Sequence, residues 1–256
     1  MSEYVETLKG LIADLRIGIA LCTRLPVGPM TPLNDGEVAR ASWTFPLAGI
    51  LVGLAGALAY WLAIRLNVAP IPAAALALAA TMALTGAMHE DGLADSFDGL
   101  GGKTREQKLD IMRDSRIGTF GACALVISLM LRWSALADIA EPHVVAGALI
   151  AAHVGARACL PAFMHLVPAA RQDGLSSDAG RPPAPSVIAA LILAVICLLF
   201  ALGVTGTIVG LLLLVLTGLL LARLGTRQFG GQTGDVLGAM EQVGEAAILL
   251  VAASLF

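Results

Sequence analysis

Seven acidic residues are concentrated between His89 and Gly121, in a polar stretch that separates two long apolar segments. Three of them, Asp91, Asp95 and Asp98, follow one another at spacings of four and three residues. On an α-helix this spacing places the three carboxylates within roughly 60° of one another. Because like charges so placed repel one another, the pattern predicts a bound cation, and oxygen ligands favour Mg²⁺ or Mn²⁺.

Basic residues follow the acidic triplet in the same stretch. A capping-box pattern that begins at Thr104 predicts a second short helix over 105–115. At its end Asp114 lies beside Arg113 and Arg116. Acids for a metal next to guanidinium groups for anionic oxygens are a combination that phosphoryl-transfer sites use.

A solvated, salt-bridged loop is the alternative interpretation of this stretch. We favour it for Glu106 and Asp110. We favour metal binding for Asp91, Asp95 and Asp98, because solvated loops rarely combine a one-sided row of acids with glycines on both flanks.

A second polar segment, 225–235, precedes the last apolar run. Its glycines and hydrogen-bonding side chains are Gly230, Gly231, Thr233, Gly234 and Asp235. Such a run lets backbone N–H groups approach an anion, and it opens a helix whose N-terminal dipole favours negative charge. The segment therefore predicts a phosphate-binding turn, with a helix-capping role for Asp235 as the alternative.

The composition places these segments in an integral membrane protein. Of 256 residues, 57% are hydrophobic and 14% charged, and the mean hydropathy is +0.84; soluble domains are less apolar. The sequence predicts one all-α domain over 1–256, a polytopic membrane helix bundle with about seven transmembrane helices. The predicted spans are 43–66, 68–88, 119–140, 143–166, 185–203, 207–224 and 236–256, with a hairpin at 203–207.

Residues 1–42 are predicted to form an amphipathic helix followed by a loop. Apolar residues make a narrow stripe along the helix, which is typical of a helix in the membrane interface; a short soluble helix packed on the other segments is the alternative. Pro29 and Pro32 mark the loop.

The basic residues predict the orientation. With the N-terminus in the cytoplasm, 13 of the 16 Lys and Arg residues lie on cytoplasmic segments, a strong positive-inside bias. The loops 89–118, 167–184 and 225–235 then emerge on the same face. We therefore expect 89–118 and 225–235 to be cytoplasmic catalytic loops that meet one another.

Ionisable residues inside the predicted spans include His153, Arg157, Glu241 and Glu245. His153 and Arg157 share a helical face, as do Glu241 and Glu245, because each pair is one turn apart. Unpaired charges at membrane depth are costly, so the sequence predicts an intramembrane polar network of these four residues.

Four motifs resemble the cobalamin synthase family, the adenosylcobinamide-GDP ribazoletransferases. They are TRLPV at 23–27, HEDGLADSFDGL at 89–100, MRDSRIGTFG at 112–121 and GQTGDVLGA at 231–239. The resemblance covers nearly the whole chain, and the second and third motifs are the most specific.

The resemblance implies a Mg²⁺-dependent enzyme of the bacterial inner membrane. Such an enzyme joins adenosylcobinamide-GDP to α-ribazole or its 5′-phosphate, giving adenosylcobalamin or its 5′-phosphate and GMP. On this basis Mg²⁺ would be bound by Asp91, Asp95 and Asp98, and further ligands or the base would be Asp114 and Asp235. Phosphate oxygens would be held by Arg113 and Arg116. The turn 230–234 would cradle the pyrophosphate or GMP. The expected partners are these substrates and the lipid bilayer, without nucleic acid, and a homo-oligomer remains open.

Two other functions would use some of the same residues. A CDP-alcohol phosphotransferase or polyprenyl transferase also gathers aspartates around Mg²⁺, but the CDP-alcohol pattern requires Asp-Gly-x₂-Ala-Arg, and here Asp95 follows Ala94. A transporter would use Asp95, His153, Arg157 and Glu241 as a translocation path and would spread its acids across the membrane. Here most acids cluster at one face.

Overall fold

The computed structural model of the chain describes residues 2–28, 34 and 36–256. Over these residues it is all-α, as the sequence predicts, with no strand and a single bridge between Ala169 and Gln232. The predicted loop prolines Pro29 and Pro32 lie outside the described residues. The helices are α1 Ser2–Cys22, α2 Glu37–Ala41, α3 Phe45–Arg65, α4 Pro70–Thr85, α5 Met88–Gly99, α6 Arg105–Ile111, α7 Thr119–Ile139, α8 Pro142–Leu166, α9 Leu175–Ala179, α10 Ala184–Gln228 and α11 Gly234–Leu255.

Several helices are long and apolar enough to cross a membrane, which confirms a multi-pass membrane protein. Within the described residues there are five such helices, or six if the bent pair α4 and α5 is taken as one span. The predicted number of seven is not confirmed. That count of five or six takes α10 as one helix, although α10 contains a break.

The break in α10 lies at Gly203, whose φ of 65° and ψ of −173° are not helical. The predicted hairpin covered 203–207, whereas residues 204–207 are helical. Leu198 and Leu214 both reach Gly155 of α8, and a straight helix would separate them by about 24 Å. The first arm of α10, residues 184–202, therefore runs back alongside the second arm, residues 204–228.

A second break separates α4 from α5. Gly86 and Ala87 have positive φ values of 67° and 55°, and the two helices meet at 89°. The bend allows α5 to pack against α7 and α11. As a result Glu90 reaches Arg132 in the middle of α7, while Asp98 reaches the N-terminal end of the same helix.

One end of the bundle, which we call the acidic end, collects the polar segments. It contains the C-terminal ends of α5, α8 and α10 and the N-terminal ends of α7 and α11. Arg105 Nε donates to the carbonyl of Phe229 at 2.8 Å, and the N–H of Gln232 donates to the carbonyl of Pro168 at 2.8 Å. The three polar loops that were predicted to emerge on one face are thus in contact.

Helix α1 packs beside this end. Asp14 is buried and accepts hydrogen bonds from Arg40 Nη2 at 2.8 Å and Trp43 Nε1 at 3.0 Å. The opposite side of the helix carries the predicted apolar stripe, of which Leu8, Leu11, Ile12 and Leu15 are exposed. An exposed apolar stripe suits a helix that lies against the membrane; its location in the interface stays a prediction.

Candidate active site

Two of the predicted metal-binding acids open onto one cleft. Asp91 and Asp95 of α5 line a cavity of about 510 Å³ together with Arg113 and Asp114, which follow α6. We call this cavity the acidic cleft. Asp91 is exposed and Asp95 is half-buried, so both carboxylates can reach a ligand in the cleft.

Asp235 brings a third carboxylate from the other polar segment close to these two acids, beside the cleft rather than in its lining. A Cβ atom on Gly92 would lie 2.9 Å from the carbonyl oxygen of Asp235, so α5 and α11 approach closely only because residue 92 has no side chain. Asp235 lies close enough to Asp91 and Asp95 for its negative charge to repel theirs. None of these three acids has an ion-pair partner in the described part of the chain, and their mutual repulsion suits a cation.

Asp98 has different surroundings from the other two acids of the triplet. It is buried, and its Oδ2 and Oδ1 atoms accept the backbone N–H groups of Gly118 at 2.7 Å and Gly121 at 2.8 Å. These amides belong to the N-terminal turn of α7, where donors lack partners within the helix. The geometry favours Asp98 as the cap of α7, which fixes the far end of α5.

Replacing Asp98 by alanine should therefore destabilise the protein by about 1–2 kcal/mol, because one buried and one partly buried backbone donor lose their acceptor. Thermal unfolding in detergent without divalent cations measures this loss. Asp91→Ala is the control, because Asp91 is exposed, and it should leave the midpoint unchanged under these conditions. A normal midpoint for Asp98→Ala would contradict the capping role.

The glycines of 230–234 differ in their surroundings. A Cβ atom on Gly231 would lie 2.2 Å from the carbonyl oxygen of Pro168, and one on Gly230 would lie 2.5 Å from Arg105 Nε. These two glycines therefore pack against protein. Gly234 is exposed and has no atom within 4 Å of a Cβ position. Thr233 caps α11 by accepting the N–H of Val236 at 3.2 Å.

Gly231→Ala should disrupt the contact between the turn and Pro168, because a backbone atom cannot move aside as a flexible side chain can. We expect a loss of stability and at least a tenfold loss of activity, measured as thermal midpoint and initial rate. Gly234→Ala is the matched variant, for which the midpoint should be normal. A raised KM in Gly234→Ala would indicate that ligand approaches this backbone, whereas a normal KM would contradict the predicted phosphate cradle.

The two predicted phosphate-binding arginines are exposed and paired with acids. Arg113 forms an ion pair with Asp173, and Arg116 forms one with Asp114. Hydrogen bonds from the side chain and backbone of Arg116 lower the pKa of Asp114 to about 2. A carboxylate with so low a pKa is a weak base at neutral pH, so Asp114 is better suited to orienting Arg116 than to accepting a proton.

Below the cleft the four predicted intramembrane residues come together. Arg157 of α8 and Glu241 of α11 form an ion pair with each side chain at most 1% exposed. His153 Nδ1 lies 3.0 Å from Arg157 Nη1 and 3.4 Å from Glu245 Oε2. The pairs from two helices thus face each other in the bundle interior.

Three further residues join this cluster that were not part of the predicted network. Arg132 Nη1 lies 3.2 Å from both Glu90 Oε1 and Glu245 Oε1, and His89 Nδ1 lies 3.7 Å from Glu241 Oε2. We call the seven residues the buried ionic network: His89, Glu90, Arg132, His153, Arg157, Glu241 and Glu245. It ties α5, and with it the acids of the cleft, to α7, α8 and α11.

A signal for two of the added residues existed in the sequence. Arg132 lies within an apolar run, where a charge needs a partner, and His89 lies on the opposite helical side from Asp91. Ligand atoms of His153, Glu241 and Glu245 lie within 4.8 Å of one another, a spacing that a metal ion could use. Both carboxylates already face a guanidinium group, so we interpret the cluster as structural.

The chain is similar to a known family over most of its length. Residues 14–253 match the family model described as cobalamin-5-phosphate synthase. The matched region includes both polar segments that form the site.

Individual relatives carry one name. A protein of Bradyrhizobium diazoefficiens named adenosylcobinamide-GDP ribazoletransferase is 61% identical over 99% of this chain and 98% of its own length. Proteins of the same name from Mesorhizobium japonicum and Ralstonia nicotianae are 49% and 41% identical, over 94% and 96% of this chain and 93% and 97% of their own lengths. No solved structure matches the chain.

Proposed function

This chain belongs to the cobalamin-5-phosphate synthase family, and we propose that the acidic cleft is where it carries out the reaction for which its relatives are named. The enzyme transfers the cobinamide phosphate group of adenosylcobinamide-GDP to α-ribazole or its 5′-phosphate. The products are adenosylcobalamin or its 5′-phosphate, and GMP. One observation carries the choice of site: Asp91, Asp95, Arg113 and Asp114 line a single cleft.

We infer that Mg²⁺ is the cofactor and that Asp91 and Asp95 hold it. The residues fit this ion, because both offer hard carboxylate oxygens and neither has an ion-pair partner among the described residues. Asp98 is the weaker ligand of the predicted triplet, since both of its oxygens accept backbone hydrogen bonds. When bound, Mg²⁺ would neutralise charge on the phosphate oxygens.

The reaction makes one bond and breaks one. A hydroxyl oxygen of the ribazole bonds to the phosphorus that carries the cobinamide, the pyrophosphate bond to GMP breaks, and the hydroxyl proton passes to a base. Arg113 and Arg116 would bind phosphate oxygens and hold the phosphorus in line with the hydroxyl. We assign the proton to Asp235, because Asp114 is the weaker base and Asp235 lies next to the metal-binding acids, with its backbone against Gly92 of α5.

Purified protein in proteoliposomes tests this function directly. Given labelled adenosylcobinamide-GDP and α-ribazole, it should release GMP and form the joined corrinoid only when Mg²⁺ is present. Release of GMP without the joined corrinoid would contradict transfer to ribazole. Full turnover in a metal chelator would contradict the cofactor.

We propose that the acidic end faces the cytoplasm, in a bacterial inner membrane. The segments that carry 13 of the 16 basic residues contact one another at this end: Arg105 binds Phe229, Arg113 binds Asp173, and Arg40 accepts from Ser186 through its carbonyl. This asymmetry is the positive-inside pattern.

The orientation predicts opposite locations for the two chain ends. Leu255 packs against Gly206, near the Gly203 turn and far from the acidic end, whereas α1 packs beside that end. Alkaline phosphatase fused after Phe256 should therefore be active outside the cytoplasm, and a fluorescent protein fused before α1 should fluoresce inside. The reverse pattern would contradict a cytoplasmic active site.

A further inference from the structure

A groove unrelated to the acidic cleft opens between α8 and the two arms of α10. Its volume is about 660 Å³, which is in the range of ligand-binding pockets. The groove is open because small residues line it, among them Gly155 and Ala162 of α8 and Gly218 of the second arm. Among described residues the groove and the cleft have no lining residue in common.

The groove has the length of one bilayer leaflet. Along the second arm its lining runs from Leu211 to Arg223 and Arg227. Arg223 follows Leu211 by twelve positions, a rise of about 18 Å along the helix, and half of the hydrocarbon core measures about 15 Å. The apolar part of the groove therefore reaches from the acidic end to about the middle of the membrane.

The groove is charged at one end only. Arg223 and Arg227 lie one helical turn apart, both are exposed, and Thr226 lies between them in the lining. Neither arginine has a hydrogen bond or ion pair within the described part of the chain. Among the described residues that line the groove, none is acidic. An apolar groove that ends in two free cations complements a ligand with a hydrocarbon tail and an anionic head.

We propose that this groove binds an anionic phospholipid from the leaflet at the acidic end. The phosphate of the headgroup lies on Arg223 and Arg227, and one acyl chain follows the small residues down to Leu211. Basic pockets between transmembrane helices at this level of the membrane recognise anionic headgroups. A corrinoid or ribazole substrate fits less well, because the groove does not contact the acids of the cleft.

The test uses the full chain, purified in a zwitterionic detergent and titrated with phosphatidylglycerol or phosphatidylcholine. Native mass spectrometry counts bound lipid, and the thermal midpoint reports stabilisation. The double variant Arg223→Gln with Arg227→Gln removes the cations. Arg65→Gln is the matched control, because Arg65 is an exposed arginine at a helix end that stacks on Trp61, 5.7 Å from its ring centre, and lies outside the groove.

A second variant fills the groove. Of the described residues, a Cβ atom on Gly218 would meet Met240 alone, with its Cε atom at 3.7 Å, which is ordinary contact. Gly218→Leu should therefore fold normally, and leucine favours the helix more than glycine does. Its side chain would occupy the path of the acyl chain while both arginines remain.

Wild type and Arg65→Gln should retain phosphatidylglycerol in preference to phosphatidylcholine and be stabilised by it. The double arginine variant should bind phosphatidylglycerol about thirtyfold more weakly, and Gly218→Leu should lose the bound lipid. Equal binding of the two lipids would overturn the proposal. So would displacement of bound lipid by α-ribazole, or a dimer that covers the groove and excludes lipid.

Discussion

Replacing Asp91 or Asp95 by asparagine should lower the rate of GMP release by about a thousandfold, because a metal site supplies several kcal/mol of charge stabilisation. Asparagine keeps the shape of the side chain and removes its charge. Both side chains open onto the acidic cleft and neither is paired with a cation among described residues. The variants should fold normally, and they should bind Mn²⁺, used as a spectroscopic substitute for Mg²⁺, more weakly than wild type.

Two further variants separate metal binding from other effects. Asp110→Asn is the matched control, since Asp110 is exposed on α6 in the same polar stretch and should keep normal turnover. Asp235→Asn should lose rate but retain Mn²⁺ binding if Asp235 accepts the proton. Near-normal Mg²⁺-dependent turnover in both Asp91→Asn and Asp95→Asn would remove the metal from α5.

Breaking the ion pair of Arg157 and Glu241 should cause the largest loss of stability. Arg157→Met leaves the Glu241 carboxylate buried without its guanidinium partner, a change that costs about 3–5 kcal/mol. Both side chains are at most 1% exposed, so water cannot replace the missing partner. The measurement is thermal unfolding of the purified protein in detergent, compared with wild type at the same pH.

A double variant tests whether the loss comes from the unpaired charge. Arg157→Met combined with Glu241→Met should recover much of the midpoint, because apolar residues can replace a buried ion pair at little cost. The exposed pair of Glu141 and His143 supplies the control: Glu141→Gln should change the midpoint little. Wild-type stability in Arg157→Met would show that the pair contributes little to the fold.

Breaking the Arg157–Glu241 ion pair should also affect activity, because the buried ionic network lies next to the acids of the cleft. His89 and Glu90 lie in α5 directly before Asp91 and are held by partners in α7, α8 and α11. Loosening the network should therefore disturb the carboxylates of the cleft as well as the overall fold.

The sequence alone determined the class of the protein and indicated half of the proposed site. The composition indicated a membrane protein, because the 57% share of hydrophobic residues in the chain exceeds the share that is typical of soluble domains. Periodicity placed Asp91 and Asp95 on one helical face, and it paired His153 with Arg157 and Glu241 with Glu245. These conclusions needed only the geometry of single helices, which sequence spacing describes well.

Only the tertiary structure decided which faces meet. The count of spans was not confirmed, since the bends at Gly86 and Gly203 depend on how neighbouring helices pack. Asp98 differs from Asp91 and Asp95 because the N-terminus of α7 lies against it. Spacing along a helix cannot predict such contacts, because they join residues that are distant in sequence and arise when helices pack. Asp235 lies beside Asp91 for this reason.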